Sequence, residues 1–61
     1  MNVFVLVGSV ASEFDAVLGV YASHDDAKQA LDGGEFNTYN YFYVEEHEVG
    51  GKLISAVEIK P

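Results

Sequence analysis

The sequence predicts an α+β fold of order ββαββ, in which a four-stranded antiparallel sheet of order 2-1-3-4 carries one helix on one face. Three observations lead to this prediction. Residues 3–7 are all apolar and mostly β-branched, which is typical of a central strand covered on both sides. Ser23, two aspartates and an alanine-containing segment are typical of a helix start. Residues 39–49 and 52–60 flank a Gly-Gly pair, which is typical of a hairpin turn.

The first two strands are predicted at residues 3–7 and 15–22, and the intervening connection suits an antiparallel hairpin. Gly19 interrupts the second strand, where a glycine often marks a bulge or a close approach. The Ser23 hydroxyl is expected to accept a hydrogen bond from the amide of Asp26 and so to begin the helix. Gly33 is the expected helix stop, followed by a loop over residues 34–38.

The order 2-1-3-4 follows because the first strand is the most apolar and therefore belongs inside the sheet. Every neighbouring pair is then antiparallel, and the helix connects the second strand to the third across the first. If Phe42 and Val44 face the helix, the alternation of a strand turns the neighbouring tyrosines away from it. One short helix covers only one face, so a second copy of the chain or a partner protein is expected on the other.

Sixty-one residues correspond to one small domain, residues 1–61, which buries only about 60% of the surface that its unfolded chain exposes. The chain has no cysteine, which excludes disulfides and thiolate metal sites and favours a reducing compartment. No basic residue precedes the apolar start, and the unbroken apolar run at residues 3–7 is too short to span a bilayer. The expected location is therefore cytoplasmic, without a membrane partner.

The charge balance restricts the possible partners. Ten acidic residues stand against three lysines and no arginine, giving a net charge of −7. Direct nucleic-acid binding and binding to anionic membranes are disfavoured, because both need basic side chains. A basic protein surface is an electrostatically favourable partner. The alternative is that the charge only keeps a small protein in solution.

A row of tyrosines is the most informative feature of the chain. Tyr39, Tyr41 and Tyr43 alternate and are expected on one strand face, and Glu45 and His47 continue the row. Tyrosine is enriched at the cores of protein interfaces, although aromatic residues also favour strands for packing reasons. The expected partner-binding residues are Tyr39, Tyr41, Tyr43, Glu45, Glu46 and Glu48, with Asp25 and Asp26 as a second acidic cluster.

Catalytic and metal chemistry have little support in the sequence. The run Glu45–Glu46–His47–Glu48 offers only two ligands on one face, whereas a structural metal site needs a closed shell of four. Asp25 and Asp26, which follow His24, are explained by their stabilising position at the helix start, without a functional role. The serines lack a nucleophile motif. No enzyme activity, catalytic residue, metal or cofactor is therefore expected.

Several of these segments together resemble a group of small uncharacterised bacterial and bacteriophage domains. The segments are V-F-V-L-V, then L-G-V-Y-A-S leading into a helix with Ala27, then Y-F-Y-V-E-E-H-E-V. The resemblance covers nearly the whole chain. It implies a compact α+β fold and a phage or mobile-element setting, and no activity.

Three hypotheses about function follow. The first is a small acidic phage-type protein that binds a host protein, inhibiting a nucleic-acid-binding defence complex in the manner of an anti-CRISPR protein or a DNA mimic. The second is a structural or assembly module that forms a homodimer through its aromatic face. The third is a binder of a small ligand or metal that uses the tyrosine and carboxylate row.

Overall fold

The computed structural model describes residues 1–11, 13–34, 36 and 38–59, and its elements follow the predicted order. Four strands form one sheet of order β2-β1-β3-β4, in which every neighbouring pair is antiparallel. The predicted fold class is confirmed. The elements are β1 (Asn2–Val10), β2 (Phe14–Tyr21), α1 (His24–Gly33), β3 (Tyr41–Glu48) and β4 (Leu53–Ile59).

The strands differ from their predicted bounds mainly where they enter turns. β1 continues to Val10, and the amide of Glu13 donates to the Val10 carbonyl at 3.0 Å in the hairpin to β2. The hairpin between β3 and β4 includes Val49 as well as the two glycines, because the amide of Gly51 donates to the Glu48 carbonyl at 2.9 Å. Gly50 has a φ of 77°, which favours glycine. The predicted strand end at Lys60 lies outside the described residues.

The helix begins as the sequence predicts. The Ser23 hydroxyl accepts a hydrogen bond from the amide of Asp26 at 3.1 Å, and both aspartates of the first turn lie where the helix dipole favours negative charge. At the other end, the amide of Gly34 donates to the Leu31 carbonyl at 3.3 Å. The helix thus ends at Gly33, which is the predicted stop.

The hydrophobic core lies between the helix and the sheet. Buried side chains from β1, the helix and β3 form one cluster, namely Leu6, Ala27, Leu31, Phe42 and Val44. The helix packs on β1, β2 and β3. It therefore covers the face to which Phe42 and Val44 belong, and the sheet face opposite the helix, here called the open face, is left uncovered by it.

A bulge in β2 confirms the interruption expected at Gly19. Leu6 pairs with Gly19 and Val7 pairs with Val17, so Leu18 is an extra residue in β2. Leu18 packs against the core cluster, so the bulge supplies one more apolar side chain to the helix side.

A second bulge, in β4, changes which residues share a face. Glu46 pairs with Ser55 and His47 pairs with Leu53, so Ile54 is the extra residue. Simple alternation along residues 52–60 predicts that Leu53 shares a face with Ser55, Val57 and Ile59, and for Leu53 this prediction is wrong. Because cross-strand partners share a face, Leu53 lies with His47 on the open face, while the helix side receives Ser55, Val57 and Ile59.

Candidate protein-binding surface

Strand β3 supplies the polar and aromatic row of the open face. Phe42 and Val44 are buried under the helix, so the alternating residues point the other way. These residues are, in order along the strand, Tyr41, Tyr43, Glu45 and His47. The expected continuation of the tyrosines into a carboxylate and an imidazole is therefore present.

Valines of β1 and β2 surround this row. Cross-strand pairing aligns Val7 with both Val17 and Tyr43, and Val5 with both Val20 and Glu45. Val17 and Val20 are 67% and 59% exposed, which is unusual for two neighbouring valines on a strand of a small domain. On the far side of β3, Leu53 pairs with His47 and is 48% exposed. The exposed apolar side chains of the open face thus lie on β2, β3 and β4, while the β1 valines between them are buried or half-buried.

One polar pair, Glu45 and His47, also lies on the open face. The Nε2 atom of His47 lies 3.0 Å from the Oε1 atom of Glu45, and both side chains are about one-third exposed. The two groups are two residues apart on one strand face, so a local contact satisfies them without help from another element. The second carboxylate oxygen of Glu45 can accept a further hydrogen bond.

Tyr39 does not belong to the open face, so the prediction of three aligned tyrosines is wrong for this residue. Tyr39 precedes β3, and its ring packs with Phe36 and Phe42 on the helix side at centroid distances of 6.5 and 6.1 Å. Gly8 makes room for it, since a Cβ atom there would lie 2.8 Å from the Tyr39 ring. Tyr39 is therefore partly buried against the core, and the row on the open face contains two tyrosines.

The remaining predicted carboxylates lie on the helix side of the sheet. Glu46 and Glu48 alternate with Glu45 and His47, and the amide group of Asn2 donates to Glu46 Oε2 at 2.7 Å. Asp25 and Asp26 lie in the first helical turn, which follows directly after β2. The end of β2 pairs with β1 in the same cross-strand row as Glu46. These four residues, here called the acidic end, therefore occupy one end of the helix layer.

The structure thus divides the predicted binding residues between two surfaces and the core. Tyr41, Tyr43 and Glu45 belong to the open face, the four other carboxylates form the acidic end, and Tyr39 packs against the core on the helix side. The predictions missed Val17 and Val20 as members of a binding surface. Val17 and Val20 are three residues apart, so a two-residue period places them on opposite faces. The bulge at Leu18 brings both to the open face, and the sequence pattern alone does not show this.

Within residues 1–11, 13–34, 36 and 38–59 there is no pocket, and no three His, Asp or Glu side chains come together as metal ligands do. Glu45 and His47 are the closest approach to a metal site, with two ligands. Among the same residues, no helix has the length and apolar character needed to cross a membrane.

A comparison with family models gives one match. The model described as Domain of unknown function (DUF7336) matches residues 1–56, which include β1, β2, the helix, β3 and the first half of β4. Neither the curated proteins nor the solved structures gave a match to this chain. The matched segment contains all the motifs that indicated a small uncharacterised domain. The chain belongs to the DUF7336 family of domains of unknown function.

Proposed function

We propose that this domain is a non-enzymatic protein-binding module that uses its open face to bind another protein surface. The observation that carries the proposal is the group of exposed apolar side chains on the face opposite the helix, namely Val17, Val20, Tyr41 and Leu53. Exposed apolar side chains grouped on one face are typical of a protein-binding surface. Tyr41 and Tyr43 add the amphipathic aromatic groups that are enriched at the centres of interfaces.

The dimensions of the domain support a binding role. The Cα atoms span 31 × 25 × 14 Å, and the short dimension matches one helix layer on one sheet. The broad face therefore offers roughly 700–800 Å², close to the approximately 800 Å² that each partner contributes to a standard protein interface. A surface of this size is sufficient for specific binding by one face of the domain.

A matched pair of substitutions tests this proposal. Val17→Lys places a charge at the 67% exposed valine of the open face, whereas Val57→Lys places it at a 49% exposed valine of the opposite face. Both positions lie on edge strands, and both changes bring the net charge from −7 to −6. We expect Val17→Lys to abolish association, with itself or with proteins captured from a bacterial lysate, while Val57→Lys retains it. Equal association by both folded variants would contradict the proposal.

The acidic end favours a second candidate function, that of a phage-type inhibitor of a basic host protein. Asp25, Asp26, Glu46 and Glu48 concentrate negative charge at one end of the helix layer, in a chain without arginine. Such a surface attracts the basic groove of a nucleic-acid-binding complex, as a DNA mimic or an anti-CRISPR protein does. A phage or bacterial source and a host cytoplasmic location belong to this candidate. The inhibitor candidate is compatible with assembly through the open face, because the acidic end and the open face are distinct surfaces.

Salt dependence distinguishes the two candidates. Binding through the acidic end is expected to weaken by at least tenfold between about 50 and 500 mM salt, because screening shortens the range of charge attraction. The double variant Glu46→Gln, Glu48→Gln should weaken it similarly, and Val17→Lys should not. Partner binding that is independent of salt and of both glutamates would exclude the inhibitor candidate.

A further inference from the structure

We infer that the open face is covered by a second copy of this chain, with each strand of one sheet lying over the same strand of its partner in the opposite direction. This inference rests on the proposed function, since it names the partner of the same surface. A two-fold axis in the interface plane, running across the strands, produces this arrangement. Two sheets packed face to face are common in proteins and keep their strands within about 30° of alignment.

The order of residues along β3 is self-complementary in that arrangement. Tyr41 and Tyr43 occupy one half of the row, and Glu45 and His47 occupy the other half. Reversing the strand over its own copy places the phenol groups of one chain over the carboxylate and imidazole of the other. The Tyr43 hydroxyl can then donate to the free oxygen of the partner's Glu45, which otherwise would lose water without gaining a donor.

The neighbouring strands obey the same symmetry. On β2, Val17 and Val20 lie on opposite sides of the two-fold axis. Reversal of the strand therefore places Val17 of one chain over Val20 of the other. On β1, the residues of the open face are Val3, Val5, Val7 and Ser9, so reversal places Val5 over the partner's Val7 and Val3 over the partner's Ser9. On β4, Glu58 shares a row with Tyr43 and Ala56 shares a row with Glu45, so Glu58 would lie over the partner's Ala56 at the rim of the interface. Apolar groups therefore meet apolar groups on β2 and at the centre of β1, and Glu45 meets a donor.

The alternative two-fold arrangement lacks these matches. With the axis along the strands, β3 of one chain lies over β1 of the other. Glu45 and His47 would then lose water against Val3 and Val5, which offer no hydrogen bond. The donor that Tyr43 offers to Glu45 thus selects the reversed arrangement, and the net charge of −7 on each chain is carried mainly by residues outside this interface.

Sedimentation equilibrium of the purified full chain tests the inference. At about 100 μM, a dimer with a Kd of about 10 μM would contain most of the protein. We expect a mass near twice the 6.6 kDa of one chain for the wild type and for Val57→Lys, and a monomer for Val17→Lys. Because Val17→Lys lowers the net negative charge, general repulsion between chains cannot explain its loss of association.

A second matched pair tests the contact of the Tyr43 hydroxyl. Tyr43→Phe should raise the dimer Kd by about fivefold, whereas Tyr21→Phe, which removes a hydroxyl from the helix side, should leave it unchanged. A dimer unaffected by both Val17→Lys and Tyr43→Phe would overturn the inference, because it would use another surface.

A monomeric wild type would also overturn the inference. In that case, capture of proteins from a lysate shows whether the proposed function fails as well. If the monomer captures a different protein from a lysate and Val17→Lys loses that protein, the open face binds a partner of another sequence. The proposed function would stand in that case, while the second copy would be excluded. If the monomer captures nothing that depends on Val17, both fail.

Discussion

At the scale of single residues, Gly8 decides where Tyr39 lies. A Cβ atom on Gly8 would be 2.8 Å from the Tyr39 ring and 2.9 Å from a methyl carbon of Leu18. The space left by the missing side chain lets the ring join Phe36 and Phe42 on the helix side. Gly8 and Tyr39 are far apart in the chain, so strand alternation alone predicted a different position for this tyrosine.

Substitution of Gly8 by alanine tests this contact. We expect Gly8→Ala to lower the free energy of unfolding by about 1–3 kcal/mol, because the added methyl group must displace the Tyr39 ring or the Leu18 side chain. Urea denaturation at one fixed protein concentration measures the change. Gly33→Ala is the matched control, since a Cβ atom there meets nothing within 4 Å and alanine favours a helix. Equal stability of Gly8→Ala and the wild type would contradict the close packing.

At the scale of secondary-structure elements, the helix start was predictable because its signals are local. A serine accepts a hydrogen bond from an amide three residues later, and two aspartates follow in the first turn. The bulges were harder to predict, because they depend on how two strands align. Gly19 marked the first bulge. No glycine or proline marks the second, so sequence alternation placed Leu53 on the wrong face.

The helix cap gives a prediction at this scale. Ser23→Ala should lower the free energy of unfolding by about 1 kcal/mol, because the amide of Asp26 loses its acceptor. Ser23→Asn should retain most of the stability, since its side-chain carbonyl accepts the same bond without adding charge. Thermal unfolding followed by circular dichroism compares the three proteins. Stability that is equal in Ser23→Ala and Ser23→Asn would show that the cap contributes little.

At the scale of the whole molecule, the domain separates an apolar face from an acidic end. The fold class and strand order were predictable, because a single apolar strand flanked by a hairpin and a crossover helix restricts the topology. The division of the candidate site into two surfaces was not predictable in full. Strand alternation separates Glu45 from Glu46, but the placement of Asp25 and Asp26 at the same end of the domain as Glu46 and Glu48 depends on where the helix starts over the sheet.

The central claim is that a second copy of the chain covers the open face. The relaxation rates of valine methyl groups in the presence of a soluble paramagnetic probe test this claim directly. At high protein concentration, we expect the methyl groups of Val17 and Val20 to be protected from the probe, while those of Val57 remain accessible. Dilution should remove the protection, because association depends on concentration. Methyl groups of Val17 and Val20 that relax as fast as those of Val57 at every concentration would contradict the claim that a second copy covers this face.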